Sequence, residues 1–312
     1  MKNIIKKLDT LFPVINIYHL NLPFYSQIIL FCVFFVAFYL LGYLLPLDSI
    51  FGFDWINVFS IKRLPPFYTP WSVTVVSFLN WPALIGLTLA ATALASIKRS
   101  KNPFSSVFVF LSLPLVWVIF LGQLDGLVLL GLLGLPWLTP LALLKPQISI
   151  FAFGAKKSFI IACLLWLIIS FIIWGFWPNT MFNINAFHPE GRYVNDIAIG
   201  WIGMIIAFPL MWLSRGDMDM LMLSGAFMVP HLMPYNLLPL TPAVARLSPF
   251  KAFLAFLLSW LPFSANWIGN NGWWLGWIFV IYLWVSLAYD RYKLLIDHWF
   301  EQKKTRSSFG SS

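Results

Sequence analysis

The chain has 312 residues, of which 60% are hydrophobic and only 10% are charged, and its mean hydropathy is +0.83. Soluble globular proteins carry about 25% charged residues, so this composition excludes a soluble protein and predicts an integral membrane protein. The net charge of +9 lies beside the apolar segments, as is typical of cytoplasmic loops, and does not indicate a nucleic-acid-binding surface.

Apolar segments recur along the whole length and predict one all-α, polytopic transmembrane domain over residues 1–312. Ten crossings are expected, or twelve if the irregular region between Gly122 and Lys157 contributes three. Residues 1–24 form a predicted cytoplasmic lead-in and residues 290–312 a basic cytoplasmic tail, which favours a plasma-membrane protein with both termini inside. Outside the irregular region, nine spans are predicted: Ser26–Leu45, Trp71–Ile97, Pro103–Leu121, Ser158–Trp177, Ile197–Leu213, Met220–Val229, Leu237–Ala245, Phe253–Trp267 and Trp273–Tyr289.

The irregular region contains Pro136, Pro140 and Pro146, and it has only about 30 residues, too few for three full crossings at 1.5 Å per residue. We therefore expect short, broken helices there, which a membrane tolerates only where they face protein or a cavity. In the span Trp71–Ile97, Pro82 predicts a kink.

The first external loop carries Asp54, which is flanked by Phe53 and Trp55. These aromatic neighbours are expected to desolvate the carboxylate partly and to raise its proton affinity. A general base that deprotonates a hydroxyl needs such a shielded carboxylate, so Asp54 is the candidate base, with a solvated loop residue as the alternative. Asp48, in the same loop, is expected to cap a turn or a helix.

Lys62 and Arg63 are the only basic pair that the predicted topology places outside. A basic pair on this side suggests an anionic partner, and a solvated loop end is the alternative interpretation.

Lys145 stands alone in apolar sequence, and an ionisable group at membrane depth marks a functional site by default. Snorkelling to the interface is the alternative. Gln123 and Asp125 follow the end of a predicted span, where they either contribute to a site or cap a helix.

Two further external segments carry candidate residues. Arg192 lies in a mixed-charge loop with Asp196 and is able to grip a phosphate with two hydrogen bonds, although such loops are usually solvated. His231 and Tyr235 are four residues apart and share a face only if the helix continues through Pro234. The sequence contains no glycine-rich phosphate loop, metal-ligand cluster or nucleophile triad, so no metal or cofactor is expected.

Four local patterns, taken together, resemble the GT-C superfamily of membrane glycosyltransferases, and especially the branch that uses polyprenol-phosphate-mannose as donor. They occur in the family's order over about residues 48–240. The patterns are Asp54 followed by Pro65-Pro-Phe-Tyr-Thr-Pro-Trp71, Gly122-Gln-Leu-Asp125, Lys145-Pro-Gln147 and Val229-Pro-His-Leu-Met-Pro-Tyr-Asn-Leu-Leu-Pro-Leu240.

The resemblance implies a GT-C-like fold and the transfer, with inversion, of a mannose-like hexose from a polyprenyl-phosphate donor to a hydroxyl of a glycan or glycolipid on the external side. It implies Asp54 as general base, no cofactor, and these substrates together with membrane lipids as partners, without nucleic acid. By the same resemblance, the donor phosphate is bound by Lys145, Arg192 and His231, and the substrates by Gln123, Asp125, Tyr68, Trp71 and Tyr235.

The chain departs from the family in being shorter than typical members and in lacking an evident second acid beside Asp54. A non-catalytic homologue, a transporter or a structural membrane subunit therefore remains the alternative. Broken helices around a buried lysine are also found in transporters, although those proteins usually contain internal repeats, and none is evident here.

Overall fold

The computed structural model describes residues 17, 19–62, 64, 68–179, 193–214 and 216–309. Within these residues the chain is helical and forms no strand. The α-helices are α1 (Phe24–Gly42), α2 (Ser72–Ser77), α3 (Trp81–Arg99), α4 (Pro103–Phe110), α5 (Leu113–Leu121), α6 (Asp125–Leu133), α7 (Thr139–Ala142), α8 (Pro146–Ser149), α9 (Lys157–Trp174), α10 (Gly203–Ser214), α11 (Met218–Gly225), α12 (Pro249–Ser259), α13 (Ala265–Ile268) and α14 (Gly276–Phe309). Other segments are a π-helix at Trp55–Phe59 and 3₁₀ helices at Ile150–Ala155, Gly200–Ile202, Ala226–Met228, Pro234–Arg246, Leu261–Ser264 and Asn270–Leu275.

Four helical stretches of the described chain are long and apolar enough to cross a membrane: α1, α3, α9 and residues 270–293. The bent pair α4 and α5 makes a fifth if it is counted as one span. A polytopic membrane protein is therefore plausible, but helices of spanning length are fewer than the ten to twelve predicted crossings. The other predicted spans form helices of 13 residues or fewer.

Pro82, which was expected to bend a long helix, instead lies at the beginning of a new one. α2 ends at Ser77, and α3 begins at Trp81 with Pro82 in its first turn, where a missing N–H costs nothing. The Asn80 side chain caps α3 by accepting a hydrogen bond from the Ala83 N–H at 2.9 Å. Pro114 similarly lies at the start of α5, after a bend of 42°. Hydropathy alone joins these pieces, because the residues on both sides of each break are apolar.

α3 is the central helix of the fold, and α1 and α9 lie outside it. The α3 side chains that face the interior are mostly small, and its buried Thr92 and Ser96 hydroxyls donate to backbone carbonyls one turn earlier. In contrast, α1 and α9 expose large apolar side chains such as Val33 and Ile172. Such outward apolar faces fit a lipid environment.

A buried ion-pair cluster lies at the C-terminal end of α3. Arg99 bonds both carboxylate oxygens of Asp219, and Arg246 bonds Asp217 at 2.7 and 2.9 Å and Asp219 at 3.0 Å. Asp217 also caps α11 by accepting from the backbone N–H groups of its first turn. Three segments far apart in sequence are therefore joined at one end of the fold by two arginines and two aspartates.

Replacing one carboxylate of this cluster is expected to destabilise the fold strongly. Asp219→Asn leaves two buried guanidinium groups with one carboxylate, a loss of about 3–5 kcal/mol, visible as a lower melting temperature of the detergent-solubilised protein. The matched control is Asp290→Asn, which breaks the Lys251–Asp290 pair, whose side chains are 32% and 34% exposed. That change should cost less than about 1 kcal/mol. Equal melting shifts for both variants would contradict a structural role of the cluster.

Candidate functional site

The turn at Gly122 brings Gln123 against the loop that carries Asp54. Gly122 ends α5 with φ +77°, a left-handed conformation that glycine adopts without strain. A Cβ added there would lie 2.8 Å from the Trp55 Cβ and 2.9 Å from the Trp81 ring. Only glycine therefore allows this close approach. The turn places Gln123 beside Asp54.

Gln123 connects the predicted base to the buried lysine. Its Nε2 donates a hydrogen bond to the Asp54 carboxylate, and its Oε1 accepts bonds from the Tyr68 hydroxyl at 2.8 Å and from Lys145 Nζ at 3.0 Å. The two donors at one end and the carboxylate at the other fix the orientation of the amide. The amide dipole thus points its positive end at Asp54.

Asp125 is the second carboxylate of the site. Its Oδ2 accepts from Lys145 Nζ at 2.8 Å, and its Oδ1 accepts from Asn236 Nδ2 at 3.2 Å. Asp125 is 2% and Lys145 4% exposed, so both charges are buried and each needs the other. Neither Gln123 nor Asp125 caps a helix. A second acid, Asp125, is therefore linked to Asp54 through two side chains, Lys145 and Gln123.

Close packing of α3 and α6 sets the position of Asp125. A Cβ added to the next residue, Gly126, would lie only 2.6 Å from the Thr88 Cα. The glycine therefore lets the start of α6 touch the middle of α3. Lys145 reaches Asp125 from the residue before Pro146, with φ −138° and ψ +84°, outside the α region that proline disfavours in its predecessor.

An open cavity of about 320 Å³ leads to Asp54. Asp54 is half-buried, whereas Gln123, Tyr68 and Tyr235 are buried at its wall. The remaining wall includes the aromatic rings of Phe53, Phe59 and Tyr193, together with Asn195 and Met233. The cavity therefore offers one carboxylate and several hydroxyl and amide groups among aromatic faces.

Burial raises the pKa of the Asp54 carboxyl, because desolvation disfavours its charged form, and the nearby Asp125 carboxylate acts in the same direction. The hydrogen bond from Gln123 and the charge of Lys145 oppose this rise. Asp54 is thus a carboxylate whose proton affinity is increased but which keeps two groups that favour ionisation.

Lys145 lies behind the cavity and does not line it. Its Nζ is within 2.8 Å of Asp125 and lies 4.5 Å from the Tyr235 ring centre and 5.3 Å from that of Tyr68, at cation–π range. Its ammonium group donates a hydrogen bond to Gln123, which does line the cavity. The side chain does not snorkel to a surface, which was the alternative interpretation.

His231 forms a separate pair with Asp196, with Nδ1 and Oδ2 2.8 Å apart, and both residues are buried. The other Asp196 oxygen accepts from the backbone N–H groups of Ala198 and Leu232. His231 does not line the cavity, but its ring centre lies 5.9 Å from that of Tyr193, which does. Asp196 therefore ties the segment after residue 192 to the segment before Tyr235.

Trp71 was predicted to bind substrate, but it lies outside the cavity. It packs against the rings of Trp166, Trp174 and Trp177, and its N–H donates to the Pro140 carbonyl at 2.8 Å. This aromatic cluster fastens the chain after Tyr68 to the broken helices.

Arg192 lies outside the described residues, and its predicted contact with a donor phosphate stays a prediction.

Asn236, Tyr193, Asn195 and Met233 were not singled out from the sequence. Asn236 had a usable signal, since it is an amide in an apolar, proline-rich segment; the others lacked one.

Among the described residues, no group of three or more His, Cys, Asp or Glu side chains is arranged to hold a metal ion.

No protein-family model, curated protein or solved structure matches this chain. The proposal of a function therefore rests on the site and on the local sequence patterns.

The Lys145–Asp125 pair is expected to behave as one energetic unit. Lys145→Met leaves a buried carboxylate without its cation and should lower the unfolding free energy by about 3 kcal/mol. In the double variant Lys145→Met/Asp125→Asn the uncompensated charge is gone, and the hydrogen bond to Asn236 is retained, so part of the stability should return. Thermal unfolding of the four proteins of this cycle gives the coupling energy. Additive losses would contradict a direct pair.

Proposed function

We propose that the protein is a membrane glycosyltransferase that moves a mannose-like hexose from a polyprenyl-phosphate donor to a hydroxyl of a glycan or glycolipid. The supporting observation is the half-buried Asp54 carboxylate, which opens on an aromatic-lined cavity and is held by Gln123. Sugars are commonly bound by such mixtures of aromatic faces and hydrogen-bonding groups. The resemblance to the GT-C superfamily carries the choice of donor.

In the proposed reaction the acceptor oxygen attacks the anomeric carbon while Asp54 takes the hydroxyl proton. The bond between that carbon and the phosphate oxygen breaks, and the phosphate leaves with the bonding electrons. Attack opposite to the leaving group inverts the anomeric configuration. Gln123 keeps Asp54 oriented, since its amide is itself fixed by Tyr68 and Lys145.

The leaving phosphate needs hydrogen-bond donors or a cation. None of the described residues that line the cavity is a cation. Arg192 immediately precedes the cavity residue Tyr193, so we propose it as the phosphate ligand, and we assign Lys145 the indirect role of holding Gln123. His231 is proposed to position the Tyr193 segment through Asp196.

The proposed enzyme lies in the plasma membrane with a GT-C-like arrangement, both termini in the cytoplasm and the cavity outside. The distribution of lysine and arginine supports this orientation. The donor would then reach the cavity from the outer leaflet.

Asp54→Asn is expected to abolish most of the transfer activity. General-base catalysis typically contributes about 10²–10⁴-fold, so kcat should fall by that factor while donor binding remains nearly unchanged. The assay follows labelled hexose from a polyprenyl-phosphate hexose into membrane glycans or glycolipids. The control is Asp48→Asn, because Asp48 lies in the same loop, is exposed, and only accepts from the Ile50 and Phe51 N–H groups. Unchanged product formation by Asp54→Asn would exclude the base role.

The acid limb of the pH profile is expected to report Asp54. The base acts only when it is ionised, and its pKa is raised, so kcat/KM should fall as the pH drops through a value above that of a free aspartate. Gln123→Met removes a hydrogen bond that lowers this pKa, and it should move the limb to higher pH. A limb that stays in place or moves to lower pH in this variant would contradict the assignment.

Transport of a small anionic or lipidic substrate is the second candidate function. It is favoured by the short interrupted helices α6, α7 and α8, which lie around the buried Lys145. Reconstituted protein that dissipates a substrate gradient, without forming a glycosylated product, would favour transport over transfer.

A further inference from the structure

A second cavity of about 520 Å³ lies beside the candidate site, between the end of α1 and the start of α3. Phe59 lines both cavities and forms part of the wall between them. The second cavity contains Lys62, the member of the external basic pair that the structure describes. Neither the proposed base nor the buried ion pair lines it.

The backbone at Lys62 is in a left-handed conformation with φ +57°, the only non-glycine residue of the described chain with positive φ. Its N–H donates to the Phe59 carbonyl at 3.0 Å and so ends the π-helix Trp55–Phe59. Glycine is the residue that adopts this conformation without strain. Lys62 is an exposed residue of the cavity wall, and backbone strain of this kind concentrates at functional sites.

The cavity has donors that lack acceptors. Lys62 has no ion-pair or side-chain hydrogen-bond partner among the described residues, and the buried Trp81 indole N–H has none either. The Ser60 and Ser77 hydroxyls already donate to backbone carbonyls. No described lining residue is acidic, and the Asp48 carboxylate nearby in sequence accepts from two backbone N–H groups. An anion would supply the missing acceptor.

The N-terminal end of α3 reinforces this preference for an anion. Asn80, Trp81 and Pro82 all line the cavity, so the 19-residue helix directs the positive end of its dipole there. The lysine and the helix end therefore favour the same sign of charge from two different segments.

The surroundings of the cavity fit a lipid. Beside its mouth, Leu44 is 79% and Phe78 83% exposed, and the cavity residue Tyr43 is 63% exposed. These side chains lie at the ends of two membrane-length helical regions, where headgroups meet acyl chains. An occupant with a phosphate in the cavity and apolar chains over this rim would satisfy both surfaces.

We propose that this cavity binds the phosphate group of an anionic phospholipid, with Lys62 as its cationic contact and the positive end of the α3 dipole as a second favourable charge. The site is independent of the proposed sugar transfer, and Asp54→Asn should bind the lipid as the native protein does.

The test compares the native protein with Lys62→Gln in nanodiscs of mixed phosphatidylglycerol and phosphatidylcholine, with native mass spectrometry of the retained lipids. The native protein should retain phosphatidylglycerol preferentially, and loss of a charge-assisted contact should reduce this preference about tenfold. The control is Lys157→Gln, which removes another exposed lysine, at the start of α9. Equal losses in both variants would indicate general membrane electrostatics and overturn the proposal.

Two further measurements separate the alternatives. Lys62→Gly removes the charge and the backbone strain together, so it should lose the lipid preference while its melting temperature stays equal or rises; retained preference overturns the role of Lys62. Inorganic phosphate is then added to the detergent-solubilised complex. Failure of phosphate to displace phosphatidylglycerol supports the lipid as ligand, whereas displacement would identify the free anion and overturn the lipid assignment.

Discussion

The candidate site depends on the neutralisation of Lys145 by Asp125. Either charge alone would be costly at this depth, and the pair is tolerable because it is held by short contacts and by Asn236. The two charged residues come from helical pieces that a continuous span could not bring together, so the broken helices and the ion pair require each other. Gln123 accepts a hydrogen bond from Lys145 and donates one to Asp54, and so connects the ion pair to the cavity. Among the described residues, Asp54 is the only acid that lines this cavity.

The charged lysine of the candidate site does not line the cavity. The groups that face the cavity are Asp54, hydroxyls, amides and aromatic rings, whereas the cation stands one layer behind them. A phosphate in the cavity would therefore meet hydrogen-bond donors before any described cation. This arrangement separates the candidate site from the neighbouring cavity, where Lys62 itself is on the wall and no described acid opposes it.

Much of the site could be predicted from the sequence because its residues interrupt apolar segments. A carboxylate, an amide and a lysine in such sequence must be paired, and Asp54, Gln123, Asp125 and Lys145 do form one network. Trp71, which the sequence also suggested for the site, packs in an aromatic cluster outside the cavity, because an aromatic residue packs as readily into a core as against a ligand.

The bounds of the helices could not be predicted, for a different reason. Hydropathy measures how apolar a stretch is, whereas Pro82 and Pro114 decide where a helix begins, and both lie between apolar residues. The sequence predicted a membrane span at Leu237–Ala245, whereas the structure has a buried 3₁₀ helix at Pro234–Arg246 with two internal prolines, which disfavour an α-helix. Yet this segment carries Asn236 to the candidate site and Arg246 to the ion-pair cluster, and so joins the two polar centres.

The ion-pair cluster and the network around Gln123 differ in their balance of charge. Asp54 is the residue whose charge is not compensated within the described part of the network. The cluster at the end of α3 has two arginines for two aspartates and is closed from solvent. Within the described residues, the network around Gln123 has one lysine for two aspartates. Its excess carboxylate is the one that reaches the cavity. Burial is the main reason why the pKa of this Asp54 carboxyl is raised, and the charge of Asp125 adds to the rise. Uptake of a proton by Asp54 would make this network neutral as well. A group that gains a proton at low electrostatic cost, beside a cavity that admits a hydroxyl, has the properties that a general base requires.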